Sequence, residues 1–103
     1  MKIEDLELHD ALLKSTKIDY TSKIIEIQLE LYLSTKDSSR RPFSIVFEGV
    51  ESISQISNLE RLEQNAFAGN INYWLPEQNG GITYIYLTDG CIAIKSAKLR
   101  LNE

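Results

Sequence analysis

The chain has 103 residues, 43% hydrophobic and 25% charged, the proportions of a globular domain and not of a disordered, collagen-like or coiled-coil chain. Its 11 basic and 15 acidic residues leave a net charge of −4, and no basic run exceeds Arg40-Arg41, so the counterion release that drives nucleic-acid binding has no footprint. A single cysteine excludes an intramolecular disulfide, the acidic N-terminus lacks a signal-peptide core, and no stretch reaches the roughly 20 apolar residues that span a bilayer. These features predict one domain over residues 1–103, with a single core, in the reducing cytoplasm.

Residues 12–20 and 23–34 read as a hairpin. Ile25, Ile27, Leu29, Leu31 and Leu33 alternate with Ile24, Glu26, Gln28, Glu30 and Tyr32, the period of a half-buried strand. A turn at Tyr20-Thr21-Ser22-Lys23 sets Ile18 opposite Ile25, Lys17 opposite Glu26 and Leu12 opposite Leu31. It also brings Lys14 against Leu29, a conflict that predicts a bulge or bend in the first strand. Residues 36–42 collect turn formers and charges, and Pro42 belongs to this loop because it cannot donate to a ladder. Residues 43–50 then form a central strand with apolar side chains on both faces, in which Glu48-Gly49 mark a bulge or a close backbone approach.

From Ser57 onward, Leu59, Leu62, Ala66 and Phe67 fall at helical spacing. Ser57 with Glu60 resembles a capping box, and Gly69 supplies a left-handed stop. The resulting helix of about two and a half to three turns is too short to stand alone and must dock its Leu59/Leu62/Ala66 stripe on the sheet. Residues 70–75, 82–88 and 91–101 read as a meander with turns at Asn79-Gly80 and Asp89-Gly90, the second placing Leu87 against Ile92, Ile85 against Ile94 and Tyr86 against Ala93. The fold is therefore mainly β, a β-rich α+β arrangement: an antiparallel sandwich or partly open barrel of about six strands with one short helix.

Catalytic sets are missing from the sequence. The lone His9 stands beside Asp10, but adjacent side chains of an extended segment point to opposite faces, which favours backbone-bonding roles over a general-base pair. One His and one Cys fall short of a structural zinc site, and Asp89, Glu77 and Glu48 lack the ligand spacing of an EF-hand, so no metal is expected. Cys91 has no basic neighbour until Lys95, and Gly80-Gly81 and Gly90 sit between strands, where they cannot cradle a phosphate. The expectation is a protein that is not an enzyme and holds no cofactor, metal, nucleic acid or membrane.

The informative pattern is aromatic. Any loop of the right parity between Leu75 and Ile82 places Ile71, Tyr73 and Leu75 with Tyr84, Tyr86 and Ala93 on one sheet face, leaving Trp74, Ile85, Leu87, Ile92 and Ile94 on the other. The second set forms a core. The first carries three phenols, amphipathic rings of a kind enriched at interfaces. Two arrangements stay open: the helix covers this face, or the face receives a protein partner or a second copy of the chain. The candidate binding residues are Tyr73, Tyr84, Tyr86, Trp74, His9 and Asp10. The rival reading is a small-ligand or enzyme pocket near His9, Asp10, Glu48 and Trp74.

The combination of Leu8-His9-Asp10-Ala11, Phe47-Glu48-Gly49-Val50, Asn65-Ala66, Asn70-Ile71-Asn72-Tyr73-Trp74 and Asp89-Gly90-Cys91 resembles a group of small uncharacterised bacterial domains that open with a Leu-His-Asp segment. Some of these are described as immunity proteins of bacterial toxin systems. The resemblance implies a bacterial cytoplasmic binding protein with no assigned catalytic residues. An acidic chain would suit an immunity protein that meets a basic nuclease.

Overall fold

Period-two alternation sorts the side chains onto two faces of one sheet. In the computed structural model, which describes residues 2–34 and 36–103, the strands are β1 (Leu12–Asp19), β2 (Ile24–Leu31), β3 (Arg41–Ile56), β4 (Ile71–Leu75), β5 (Gly81–Leu87) and β6 (Gly90–Asn102). They form a single antiparallel sheet in the order β1-β2-β3-β6-β5-β4, with one short helix, α1 (Leu59–Gln64), between β3 and β4. No helix among the described residues is long and apolar enough to cross a membrane.

The inner face is the core. Ile25, Ile27 and Leu29 of β2, Ile45 and Phe47 of β3, Ile85 of β5, and Ile92 and Ile94 of β6 are all buried there. Each such side chain contributes about 1.5–3 kcal/mol through removal from water. The segment before β1 lays Ile3, Leu6, Leu8 and Ala11 into the same cluster, and the buried Trp74 indole donates to the Leu6 carbonyl at 3.3 Å. At one corner the two ends of the strand order meet. The Ala11 carbonyl accepts from Asn70 N and Ile71 N at 3.0 and 3.2 Å, and the Asn70 side-chain oxygen accepts from Leu13 N at 2.8 Å. The sheet is thus open along most of its edges and tied at one point, closer to a partly open barrel than to two facing sheets.

Several local expectations are corrected by the register. Ile18 faces Ile25 and Lys17 faces Glu26 as the hairpin requires, but the pairing skips Lys14, so Leu12 meets Glu30 and not Leu31. This bulge turns an exposed Lys14 away from the core, resolving the conflict with Leu29. Pro42 lies within β3, opposite Glu30, and not in the loop. The ladder to β6 extends only to Ser44, so at Pro42 the strand has a neighbour on one side and its missing N–H breaks no second ladder.

β3 also continues to Ile56, well past the expected end at residue 50. Gly49 takes φ +61, and a Cβ on it would approach the Ala97 Cβ to 2.8 Å. A register shift between Val50 and Ser52 follows, so the strand bends here without stopping.

The β5–β6 turn is Thr88-Asp89, with Leu87 paired to Gly90, Tyr86 to Cys91 and Ile85 to Ile92. This moves each partner by two positions relative to the expected register, an even shift that leaves every residue on its expected face. Asp89 takes the positive φ, 55°, whereas Gly90 is needed because a Cβ there would collide with the Ile56 carbonyl. In β4 the pairing skips Asn72, so Ile71 faces Leu87 in the core and does not join the tyrosines.

The helix is shorter than expected and sits elsewhere. Its N-cap is Asn58, whose side chain accepts from Arg61 N at 3.0 Å, in place of Ser57. Leu62 packs against the core, but Leu59 is 75% exposed and Ala66 and Phe67 also face solvent. An Arg61–Asp89 ion pair at 2.9 Å and a bond from the Asn70 amide to the Leu62 carbonyl at 3.2 Å hold α1 at the end of the sheet, beside the β5–β6 turn.

Candidate functional site

The outer face of the sheet has two halves of different chemistry. Across β1, β2 and the first part of β3 it carries Ser15, Lys17, Glu26, Gln28 and Glu48, with Lys98 and Arg100 of β6 beside them. These groups satisfy one another. Ser15 donates to Gln28 at 2.5 Å, Gln28 donates to Glu26 at 3.1 Å, and Arg100 donates to Glu48 at 2.6 Å with Lys98 3.7 Å away. The Arg100 hydrogen bond, helped by the Lys98 and Arg100 charges, holds the Glu48 carboxyl below its ordinary range.

Across the rest of β3 and β6, and over β5 and β4, the outer face carries only Lys95 as a charged residue among the described residues. One row runs Ile56, Cys91, Tyr86, Tyr73, and the next runs Ser54, Ala93, Tyr84, Leu75. A third row adds Ser52, Lys95 and Ile82 at the rim. Ile56 is 71% exposed, Leu75 51%, Tyr73 49% and Ile82 41%, so neither the helix nor any other segment covers this half. Lys95 is its one charged residue, and the Glu51 carboxylate 2.8 Å away neutralises it, an interaction that raises the lysine pKa and lowers the glutamate's.

The three tyrosines form a ladder. The Tyr73 and Tyr86 ring centroids are 4.5 Å apart with planes 20° from parallel, and Tyr84 and Tyr86 are 6.0 Å apart at 17°. Tyr86 is therefore near-parallel to two neighbouring rings, closely stacked on Tyr73 and more offset from Tyr84. Burial, and then the neighbouring Tyr73, push its phenol pKa upward.

The candidate residues read from the sequence are thus split. Tyr73, Tyr84 and Tyr86 come together, whereas Trp74 lies buried on the opposite face with its indole N–H bonded. His9 and Asp10 lie in a turn, with Asp10 at φ 68, and not in an extended segment. Their side chains consequently approach to 3.5 Å, both well exposed. His9 Nδ1 lies 3.0 Å from the Asn72 carbonyl, so this ring nitrogen donates to backbone of β4. Glu48 is on the outer face of β3, three strand spacings or about 14 Å from the strand of Trp74. The pocket imagined from His9, Asp10, Glu48 and Trp74 does not form.

A separate cleft of about 540 Å³ opens between the N-terminal segment and the end of β2, lined by Asp5, Leu6, Glu7, His9 and Tyr32 among others. Its polar groups are largely spent internally. Glu7 accepts from His9 N at 2.9 Å, Asp37 accepts from Leu33 N and Ser34 N, and Arg40 lies over the Tyr32 ring at 4.9 Å. Among the described residues no three His, Cys, Asp or Glu side chains gather as metal ligands.

The sequence reading missed Ile56 and Ile82 as members of the exposed face. Ile56 lies three residues from the core-facing Ile53, so parity along the strand puts it on the outer face once the strand is carried past Gly49. It also missed Arg40, which donates to the carbonyls of Asp10 and Phe67 and so ties two turns together. Comparison with protein-family models, curated proteins and solved structures gives no match to this chain.

Proposed function

We propose that the chain is a non-enzymatic protein-binding module that works through the outer face built around Tyr73, Tyr84 and Tyr86. One observation carries this reading: four strands expose adjoining rows, charged only at Lys95, whose large side chains are 41–71% open to solvent at Ile56, Tyr73, Leu75 and Ile82. Two rows across four strands and a third across three give on the order of 400 Å², Ser52, Ser54 and Lys95 included. Exposed apolar groups gathered on one face of a monomer are commonly functional, and tyrosines at their centre supply apolar contact and hydrogen bonding together. A bacterial cytoplasmic setting and an immunity-type role, suggested by the Leu8-His9-Asp10 resemblance, are compatible with a binding module whose net charge is −4.

A photo-activated cross-linking residue placed at Ile82 tests the proposal, with the same residue at Gln28 on the polar half as the control. Irradiation of producing cells is expected to yield a discrete adduct from position 82 and none from position 28. Equal capture from both positions, or none from either, would contradict the assignment of the face.

A further inference from the structure

We infer that the occupant of the tyrosine face is a second copy of this chain, an inference that rests on the binding role proposed for that face. Three features of the face lead there. The first is charge. A two-fold interface brings each surface against itself, so any uncompensated charge meets its own like. Here the only charge in the patch, Lys95, is already paired with Glu51 of the same chain at 2.8 Å. Apart from Glu51, which pairs with Lys95, none of the 15 acidic residues belongs to the three rows of the patch.

The second feature is shape. This face lies on the outside of the partly open barrel, so a second copy can approach it face to face, with sheets about 10 Å apart at the contact. Tyrosine ladders are suited to that contact. The outer surface of Tyr73, half open to solvent, receives the ring edges of the facing ladder in the edge-to-face manner aromatic pairs prefer.

The third feature is area. A patch on the order of 400 Å² on each copy buries on the order of 800 Å² in total, below the roughly 1,200 Å² at which stable interfaces begin. The dimer is therefore weak and exchanging. The acidic remainder of each chain stays free in this arrangement.

Sedimentation velocity of the full chain from about 5 µM to about 1 mM tests the inference. The expected result is a rise toward twice the chain mass. Leu75→Lys with Ile82→Lys, both at solvent-facing positions, is expected to weaken association at least about 100-fold, while Gln28→Lys leaves it unchanged. The unfolding midpoint of the unmodified chain, which needs no variant, is expected to rise with concentration over the same range. A chain that stays monomeric at the highest concentration overturns the inference, as does association that survives the paired lysines. If that monomer is accompanied by an adduct from position 82 to a different protein, only the second copy is excluded and the binding face stands. A monomer with no adduct excludes both.

Discussion

The two halves of the outer face are made from the same kind of antiparallel ladder and differ only in what points outward. On the β1–β2 side, Lys17, Glu26, Gln28 and Glu48 alternate with core residues, and the polar groups of Ser15, Gln28, Glu26, Glu48 and Arg100 bond to one another. That is the usual economy of a sheet with one solvated face. On the β4–β5 side the alternation is kept, but both sets are apolar: Ile85 and Leu87 are buried, while Tyr84 and Tyr86 occupy the outer layer. The first set builds the core, and the second is the one that the proposed binding role assigns to contacts outside the chain.

This division makes stability and association separable. Ile85→Ala, at a site with no exposure, is expected to cost about 2–5 kcal/mol in chemical denaturation. Leu75→Ala, on the opposite face and half exposed, is expected to cost less than about 0.5 kcal/mol. A Leu75 cost approaching that of Ile85 would place the tyrosine face in the core and erase the contrast. Next in size is Asn70→Ala, at the corner that ties β4 to β1. It leaves the Leu13 N–H without its acceptor and the Leu62 carbonyl without its donor, for an expected loss of about 1–3 kcal/mol.

The halves also titrate at opposite ends of the pH scale. Glu48 is lowered in the folded chain, so its contribution is present above its ordinary value of 4.5 and is lost as pH falls through the lowered one. Glu48→Gln is expected to flatten the acid limb of a stability-against-pH curve. Tyr86 is raised, so its contribution is present below 10.0 and is lost as pH rises through the higher folded value. Tyr86→Phe is expected to flatten the alkaline limb and leave the acid limb alone. A small effect is also expected at Ser96, whose buried hydroxyl has no hydrogen-bond partner among the described residues. Ser96→Ala is expected to stay within about 1 kcal/mol of the parent, on the neutral or stabilising side.

Much of this was legible from alternation alone. Ile25 to Leu31, the bulge at Lys14 and the opposed faces of Tyr84 and Ile85 all follow from a period of two and the cost of burying a lysine. The β5–β6 partners differ from expectation by two positions without harm, because an even shift keeps every side chain on its face. A bulge does not preserve parity. Ile71 was assigned to the tyrosine face because nothing in Asn72 announces the skipped residue, and β3 was ended early because Gly49 reads equally as a stop or a bend. The helix stripe failed for a different reason: Leu59 and Ala66 have the spacing, but Arg61–Asp89 and Asn70–Leu62 contacts distant in sequence decide where α1 docks. His9 and Asp10 were read as extended, and only the positive φ of Asp10 brings their side chains together.

The most direct test of the contrast between the two halves is paramagnetic relaxation by a neutral soluble nitroxide, read residue by residue in NMR spectra of dilute and concentrated chain. Tyr73, Leu75 and Ile82 are expected to relax strongly when dilute and to become shielded when concentrated, while Lys17, Gln28 and Glu30 relax equally at both. Identical profiles at the two concentrations, or shielding of the polar half instead, would contradict the central claim that the tyrosine face is where this chain meets another copy.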